Sequence, residues 1–358
     1  MQIELKKHYF TTSENNLISY GKLSASLFTY CTGVEGIRIS NEVGNVELLP
    51  FKGQQIWRAF FHGRELSMKT AFQSPPASTD FLQSFGAFMV HCGASRIGGP
   101  GPGEMFPIHG HLPNATYEKV YLIGGSDSKG NYLALSGEYR FIEFFGNQYL
   151  AHPEVKIYEN SGLMDIRMAI TNLAQTDFEL MYLCHINFRP INGAQLHYTA
   201  PYDAKHVRVR TSVPSHIKPP TGYAEFLDSL AQNPSLHHTI RETDSYDPEA
   251  VFYIQYSPDA NGFCHTLQVH ASGEADYVCH HHQNLPCALR WISRTPNHDA
   301  IAIVEPSTCE ADGYANEKEK GNIRIVKPGE TYTMQISAGA LNVDELKNIT
   351  SMNQIIVF

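Results

Sequence analysis

Apolar and polar residues alternate along most of the chain with the two-residue period of β-strands. Residues 164–172 and 178–183 both alternate, and the Gln175, Thr176 and Asp177 turn between them predicts a β-hairpin. Residues 223–232, which Asn233 and Pro234 end, form the best helix candidate, and it is short. Between residues 36 and 64 the apolar positions of the pattern are Ile37, Ile39, Val46, Leu48, Leu49, Ile56, Trp57, Phe60 and Phe61.

Turn-forming residues interrupt this pattern at short intervals. The chain has 358 residues with 27 Gly and 20 Pro, so a turn signal arrives about every eight residues. That spacing predicts an all-β sandwich or barrel. No repeat or linker divides the sequence, so we expect one domain over residues 1–358, with residues 1–30 as an added strand pair.

Composition and charge narrow the class of protein further. The formal charge of −9 and the lack of a basic block argue against a nucleic-acid or anionic-membrane partner. No run of about 18 apolar residues occurs, and the N-terminus lacks the apolar region of a signal peptide. Seven cysteines without CxxC pairing favour reduced thiols, so we expect a cytoplasmic protein.

Three stretches of the sequence contain candidate functional residues. Residues 106–114 follow a glycine-proline run at 98–103, and their His109 and His111 would share one face if the segment is extended. His185 follows the apolar residues 180–184, and Glu305 follows the apolar residues 300–304 and precedes Pro306. We interpret the chain as a β scaffold that brings His109, His185 and Glu305 into one pocket.

The ordered set of these and other segments resembles the aldose 1-epimerase (galactose mutarotase) superfamily, in particular an epimerase-like branch of uncertain substrate. The resembling segments follow the order of the family and span roughly residues 35 to 340. They are residues 49–57, 63–66, 92–96, 108–110, 185–188 and 304–306.

The resemblance implies a large antiparallel β-sandwich with few short helices and a sugar bound on its concave face. It also implies an isomerase that interconverts sugar anomers with Glu305 as base and His185 as acid, without metal or cofactor. Because the base and the acid act on different oxygens of one ring, the sugar should fit between the two side chains. The same comparison implies substrate contacts by His109, Arg96, His111 and Asp247.

Each of these residues also has a simpler interpretation. A histidine that ends an apolar strand is more often a core residue, a carboxylate there often faces water, and Arg96 could pair with a surface carboxylate. Adjacent histidines alternate faces on a strand, so His280, His281 and His282 are interpreted as an exposed strand or turn. Trp57 and Trp291 are interpreted as core residues.

Two other functions stay open at this point. His109, His111 and Glu118 come close to the first cupin motif, although six residues rather than three or four separate His111 from Glu118. Such a site would make the protein a metal-dependent sugar isomerase. The other alternative is a carbohydrate-binding β-sandwich without catalysis, although binding alone does not need both His185 and Glu305. The sequence leaves the sugar and the oligomeric state open.

Overall fold

The computed structural model describes residues 1–101, 104–213 and 217–352. Strands make up 46% of the described residues and helices 10%, which confirms the all-β class. The strands in chain order are β1 (Gln2–Glu4), β2 (Asn15–Tyr20), β3 (Leu23–Thr29), β4 (Glu35–Ser40), β5 (Gly44–Leu48), β6 (Ile56–Phe61), β7 (Arg64–Glu65), β8 (Met89–Ala94), β9 (Lys119–Asp127), β10 (Gly130–Ile142), β11 (Gln148–Tyr158), β12 (Leu163–Asn172), β13 (Phe178–Ile186), β14 (Gln195–Tyr198), β15 (Val207–Val209), β16 (Tyr246–Ile254), β17 (Phe263–Val269), β18 (Ala275–His281), β19 (Cys287–Arg294), β20 (Asp299–Ser307), β21 (Arg324–Val326) and β22 (Thr331–Leu341).

The helices of the described residues are few and short, as expected. Helix α1 (Tyr223–Gln232) has the bounds that the sequence predicts, and the residues that follow it form a single 3₁₀ turn, Pro234–His237. Helices α2 (Tyr314–Glu319) and α3 (Val343–Met352) were not predicted. Within the described residues, no helix combines the length and the apolar character that a membrane crossing would require.

The strands form two large antiparallel sheets. The first sheet has nine strands in the order β1, β9, β10, β11, β12, β22, β18, β17 and β14. The second sheet has thirteen strands, of which eleven follow the order β15, β16, β19, β20, β13, β8, β6, β5, β4, β3 and β2, while β21 pairs with β13 and β7 pairs with β6.

The two sheets pack face to face and share one apolar core. The inward residues of the first sheet, such as Leu135 and Ile166, belong to the same buried cluster as Ile56 and Ile186 of the second sheet. Because side chains alternate along each strand, every second side chain points inward, and the inward side chains of the two sheets pack against each other. The expected antiparallel β-sandwich is therefore confirmed.

The second sheet also buries part of its other face. Leu183, Val251 and Leu289 belong to a separate cluster that includes the fully buried Trp57, as predicted for that tryptophan. Loops cover this outer face, and the cavity described below lies there. Burial on both faces explains why strands β13 and β20 read as nearly continuous apolar runs.

Two local predictions are wrong. The segments 164–172 and 178–183 are strands, but they do not form a hairpin, because β12 lies in the first sheet and β13 in the second. The turn between them carries the chain from one sheet to the other. His280 is also not exposed: it lies in β18 with 1% of its surface accessible, while His281 and His282 are half-buried.

The first thirty residues contribute to both sheets. Strand β1 pairs with β9 at one edge of the first sheet. Strands β2 and β3 form an antiparallel pair at one edge of the second sheet, where β3 continues to β4.

Candidate functional site

A cavity of about 670 Å³ opens on the outer face of the second sheet. Its floor comes from four neighbouring strands, which supply Glu249 (β16), Trp291 (β19), Glu305 (β20) and His185 (β13). Loops form the walls, including residues 98–101 of the glycine-proline run; Pro102 and Gly103 lie outside the described residues. The three residues chosen from the sequence, His109, His185 and Glu305, all line this cavity.

Strict alternation in β13 turns His185 toward the cavity. Tyr182, Cys184 and Ile186 point into the core between the sheets. Met181 and Leu183 point to the outer cluster, and His185 continues that outer row. Its side chain is 5% exposed.

Glu305 reaches the same face because β20 contains a β-bulge. Leu289 pairs with Glu305 and Trp291 pairs with Ala302, so two steps along β19 correspond to three along β20. The two residues between these pairs on β20, Ile303 and Val304, both point into the core between the sheets. Without this additional residue, the alternation would turn Glu305 into the core.

Arg290 holds the bulge from the core side. Its guanidinium is fully buried, and its Nε donates to the carbonyl oxygen of Ile303, one of the bulged residues, at 2.9 Å. One Nη contacts Nε2 of His237 at 2.7 Å, and the guanidinium carbon lies 4.4 Å from the ring centre of Tyr198. A buried arginine thus donates to a backbone carbonyl within the bulge.

His185 and Glu305 touch each other directly. Nδ1 of His185 lies 2.8 Å from Oε1 of Glu305, and the two side chains are 5% and 4% exposed. The alignment is poor for a hydrogen bond, so neither atom has such a partner among the described residues, and the contact is mainly electrostatic. The expectation that the two groups stand apart by about the width of a sugar ring is therefore wrong.

His109 enters the cavity from a tight turn. Its backbone is left-handed (φ 61°), and Gly110 follows at φ 77°, so the segment is not extended. A Cβ at Gly110 would lie 2.4 Å from the carbonyl oxygen of Gly93, which explains the glycine. The backbone N–H of Gly98 donates to Nδ1 of His109 at 3.4 Å.

Aromatic rings surround the histidine pair. The ring of His185 lies 5.6 Å from that of His109, 4.9 Å from Phe85 and 5.3 Å from Trp291, each edge to face. Phe81 stacks on Phe85 at 4.8 Å. These contacts fix the orientation of the His185 imidazole and keep its surroundings largely apolar.

One polar group of the cavity was missed in the sequence. Arg210 pairs with Oε1 of Glu249, while Nε1 of Trp291 donates to Oε2 of the same carboxylate at 2.7 Å. The interpretation of Trp291 as a core residue is wrong, because it is half-buried and lines the cavity. Alternation in the sequence could have indicated this position, because Trp291 lies two residues after Leu289 and therefore on the same outer face of β19.

Three residues named by the resemblance lie outside the lining of this cavity. The guanidinium of Arg96 covers the ring of Tyr314 at 3.8 Å. His111 packs on Phe141 and faces a separate cavity of about 360 Å³, and burial lowers the pKa of its imidazole. Asp247 is exposed, next to Pro248, which does line the main cavity. Their contact with a substrate stays a prediction.

The residues of the cupin-like motif are not arranged around one ion. Within the described residues, His109, His111 and Glu118 do not form a group within metal-binding distance, and Glu118 is exposed. The group that does meet this distance test comprises Glu310, Asp312 and Glu317. The ammonium of Lys320 lies 2.6 to 2.8 Å from all three carboxylates.

The fold defines the structural class, because several solved structures share it. A "putative aldose 1-epimerase" from Klebsiella pneumoniae has a TM-score of 0.79 at 17% identity, covering 96% of this chain and 91% of that one. A galactose mutarotase-like protein from Clostridium acetobutylicum has a TM-score of 0.63 at 12% identity, covering 90% and 100%. A GalM/aldose epimerase homologue from C. elegans has a TM-score of 0.51 at 13% identity, covering 86% and 99%.

Sequence comparison identifies the family. Residues 31–339 match the family described as Domain of unknown function (DUF4432), and the chain belongs to that family. No curated protein sequence matches the chain. The solved structures are too distant in sequence to show more than the shared mutarotase-like β-sandwich.

Proposed function

We propose that this protein is a carbohydrate-active isomerase that interconverts the anomers of a reducing sugar, as an aldose 1-epimerase does. The observation that carries the proposal is the buried contact of His185 with Glu305 on the floor of a cavity lined by aromatic rings. The names of the structural neighbours support the same reaction class.

Anomer exchange needs only proton transfer and a bond rotation. A base takes the proton of the anomeric hydroxyl, the bond from C1 to the ring oxygen breaks, and the ring oxygen gains a proton. The aldehyde then rotates, and the ring closes on its other face. Imidazole and carboxylate groups are suited to this chemistry, and each well-placed acid or base contributes a factor of about 10² to 10⁴ in rate.

The cavity also suits a sugar as ligand. Its volume of about 670 Å³ is typical of small-molecule sites. Phe81, Phe85 and Trp291 offer apolar surfaces for the C–H faces of a pyranose, while Arg210 and Glu249 offer polar contacts. A small-molecule sugar is therefore the proposed substrate.

The proposal is tested by NMR exchange spectroscopy on a panel of aldoses and uronic acids, with and without chelator. We expect faster anomer exchange for at least one sugar, unchanged by the chelator. Loss of the activity on chelation would favour the metal-dependent isomerase. Binding without faster exchange for every sugar would favour a carbohydrate-binding module.

A variant then links the activity to the site. His185→Asn should lower the exchange rate of the best sugar by about 10² to 10⁴ because the proton carrier is lost. The matched control is His265→Asn. His265 is equally buried and has Nε2 3.2 Å from Oδ2 of Asp259, but it lies on β17 of the first sheet, away from the cavity. Equal losses in the two variants would contradict the assignment of the site.

A further inference from the structure

We propose that His185 alone carries the proton between the two sugar oxygens and that Glu305 is a positioning residue that acts through His185. This inference rests on the proposed anomer exchange. It replaces the expected division of labour, in which Glu305 is the base and His185 the acid. The argument starts from the atoms that the two side chains present to each other.

The Glu305 carboxylate selects one tautomer of His185. Nδ1 is the ring nitrogen that lies 2.8 Å from Oε1, and an N–H beside a carboxylate is electrostatically favoured over a lone pair. Nδ1 is also fully buried, so Nε2 is the nitrogen left to act on a ligand in the cavity. In this tautomer Nε2 carries a lone pair and can accept a proton.

The same contact limits direct action of Glu305 on the sugar, because it holds one of the two carboxylate oxygens. Its Oε1 is fully buried and occupied by His185, and the side chain is only 4% exposed. A sugar ring cannot stand between atoms that are 2.8 Å apart. Binding that separated them would leave a buried carboxylate and imidazole without each other, which is costly.

His109 has the opposite tautomer. Its Nδ1 accepts from the backbone N–H of Gly98, so the neutral ring carries its proton on Nε2. The rings of His109 and His185 lie 5.6 Å apart in the same cavity. A hydrogen-bond donor and a proton acceptor are therefore placed side by side for the two oxygens bonded to one carbon.

The proposed step conserves protons and electrons. Nε2 of His185 takes the proton of the anomeric hydroxyl, the electrons of that O–H bond form the C1 carbonyl, and the bond from C1 to the ring oxygen breaks toward the oxygen. Nε2–H of His109 donates to the developing oxyanion. The ring oxygen then takes the proton from the His185 imidazolium, whose charge Glu305 stabilises meanwhile. Ring closure reverses the steps after rotation.

Other titratable groups near His185 do not offer a second carrier. On its own sheet, the neighbouring Cys92 has a thiol whose pKa burial raises well above its usual value, so it stays neutral. Glu249 is engaged by Arg210 and Trp291. Among the described residues that line the cavity, the remaining titratable groups besides His109 and Glu305 are His298 and Asp312. Nε2 of His298 lies 2.7 Å from the hydroxyl of Ser293, and Asp312 is engaged by Lys320 and by the hydroxyl of Tyr253.

The pH dependence of the wild-type rate separates the two mechanisms. A single carrier works in its neutral form, so kcat/KM should rise as His185 loses its proton and then stay level at higher pH. Glu305 as base with His185 as acid requires a protonated His185, so the rate would fall over the same range. A bell-shaped profile would overturn the inference. Repeating the measurement in His109→Asn assigns the rise to His185 if it persists.

A double-mutant cycle gives an independent test. If Glu305 acts only through His185, adding Glu305→Gln to His185→Asn should change kcat by less than about threefold, although each single change lowers it by about 10² or more. Multiplied losses in the double variant would show that Glu305 acts independently and would overturn the inference. The control cycle uses His265→Asn and Asp259→Asn, whose side chains contact each other and do not line the cavity.

Nitrogen-15 NMR of the imidazoles in the wild-type protein identifies their tautomers and does not depend on enzyme activity. We expect a proton on Nδ1 of His185 and on Nε2 of His109, and a proton on Nε2 of neutral His185 would overturn the inference. Failure of this mechanism can be distinguished from failure of the proposed function. Wild-type protein that exchanges no sugar contradicts the function itself, whereas exchange with a bell-shaped profile contradicts only the single-carrier mechanism.

Discussion

At the scale of single residues, Trp291 connects His185 to the pair of Arg210 and Glu249. Its indole N–H donates to Glu249, and its ring edge meets both His185 and Phe85, at 5.3 and 5.8 Å. A ligand above His185 must therefore approach this ring. The other tryptophan of the chain, Trp57, is 1% exposed and does not line the cavity.

The two tryptophans give a direct test of where the ligand binds. A sugar that enters the cavity should change the fluorescence of Trp291 and leave that of Trp57 unchanged, because only Trp291 gains a new neighbour. Trp291→Phe should abolish the ligand-dependent change, and Trp57→Phe should retain it in a fluorescence titration. The site would be misplaced if the change survived in Trp291→Phe and vanished in Trp57→Phe.

The bulge in β20 controls the site at the scale of elements. Pairing on either side of the bulge is regular, and one additional residue is enough to move Glu305 from the core face to the cavity face. The carbonyl oxygen of Ile303, one of the bulged residues, accepts from the buried Arg290. The orientation of Glu305 therefore depends on a buried arginine on the opposite face of the sheet.

Replacing Arg290 should weaken the bulge. Arg290→Lys keeps the charge but loses the planar fork that reaches Ile303 and His237 together, so we expect the free energy of unfolding to fall by about 2 kcal/mol, the value of one hydrogen bond to a charged group. Urea unfolding measures this loss. The control Arg208→Lys, whose side chain is 54% exposed, should change stability by less than about 0.5 kcal/mol. Equal stability of the two variants would mean that Arg290 does not hold the bulge.

The strands themselves could be predicted from sequence, but their partners could not. Alternation correctly located β12 and β13, and the stop signal of Asn233 and Pro234 ended α1 at the observed residue. The turn between β12 and β13 resembles a hairpin turn locally. Which sheet each strand joins depends on its pairing with distant strands, and short-range patterns do not encode that choice.

The site could be predicted in part for the same reason. His109, His185 and Glu305 were chosen because they follow apolar or glycine-rich segments, and all three line one cavity. Their contacts were not foreseeable: the bulge that turns Glu305, the left-handed backbone of His109 and the direct contact of His185 with Glu305 all follow from tertiary packing. Arg210 and Glu249 had no local signal and were missed.

At the scale of the whole molecule, several histidines are buried in the interior. The chain has 18 histidines, and several of the described ones lie in the interior without a carboxylate partner among the described residues. Burial lowers the pKa of His91 to about 3 and that of His280 to about 3. His91 contacts the hydroxyl of Tyr182 through Nδ1, whereas Nδ1 of His280 has no hydrogen-bond partner in the described part of the chain. Both rings are therefore neutral in the folded protein near pH 7.

These histidines should make the fold sensitive to mild acid. In the unfolded chain a histidine takes up its proton near pH 6.5, but in the folded chain these two do so only near pH 3, so the unfolded state is favoured as the pH falls below 6.5. Each such histidine should remove about 2 kcal/mol of stability between pH 7 and pH 5. Urea unfolding of His280→Phe should show a pH-dependent loss that is smaller by about this amount. The exposed His8, changed to Gln, is the control, and a pH dependence in His280→Phe equal to that of the wild type would show that His280 already accepts its proton in the folded state.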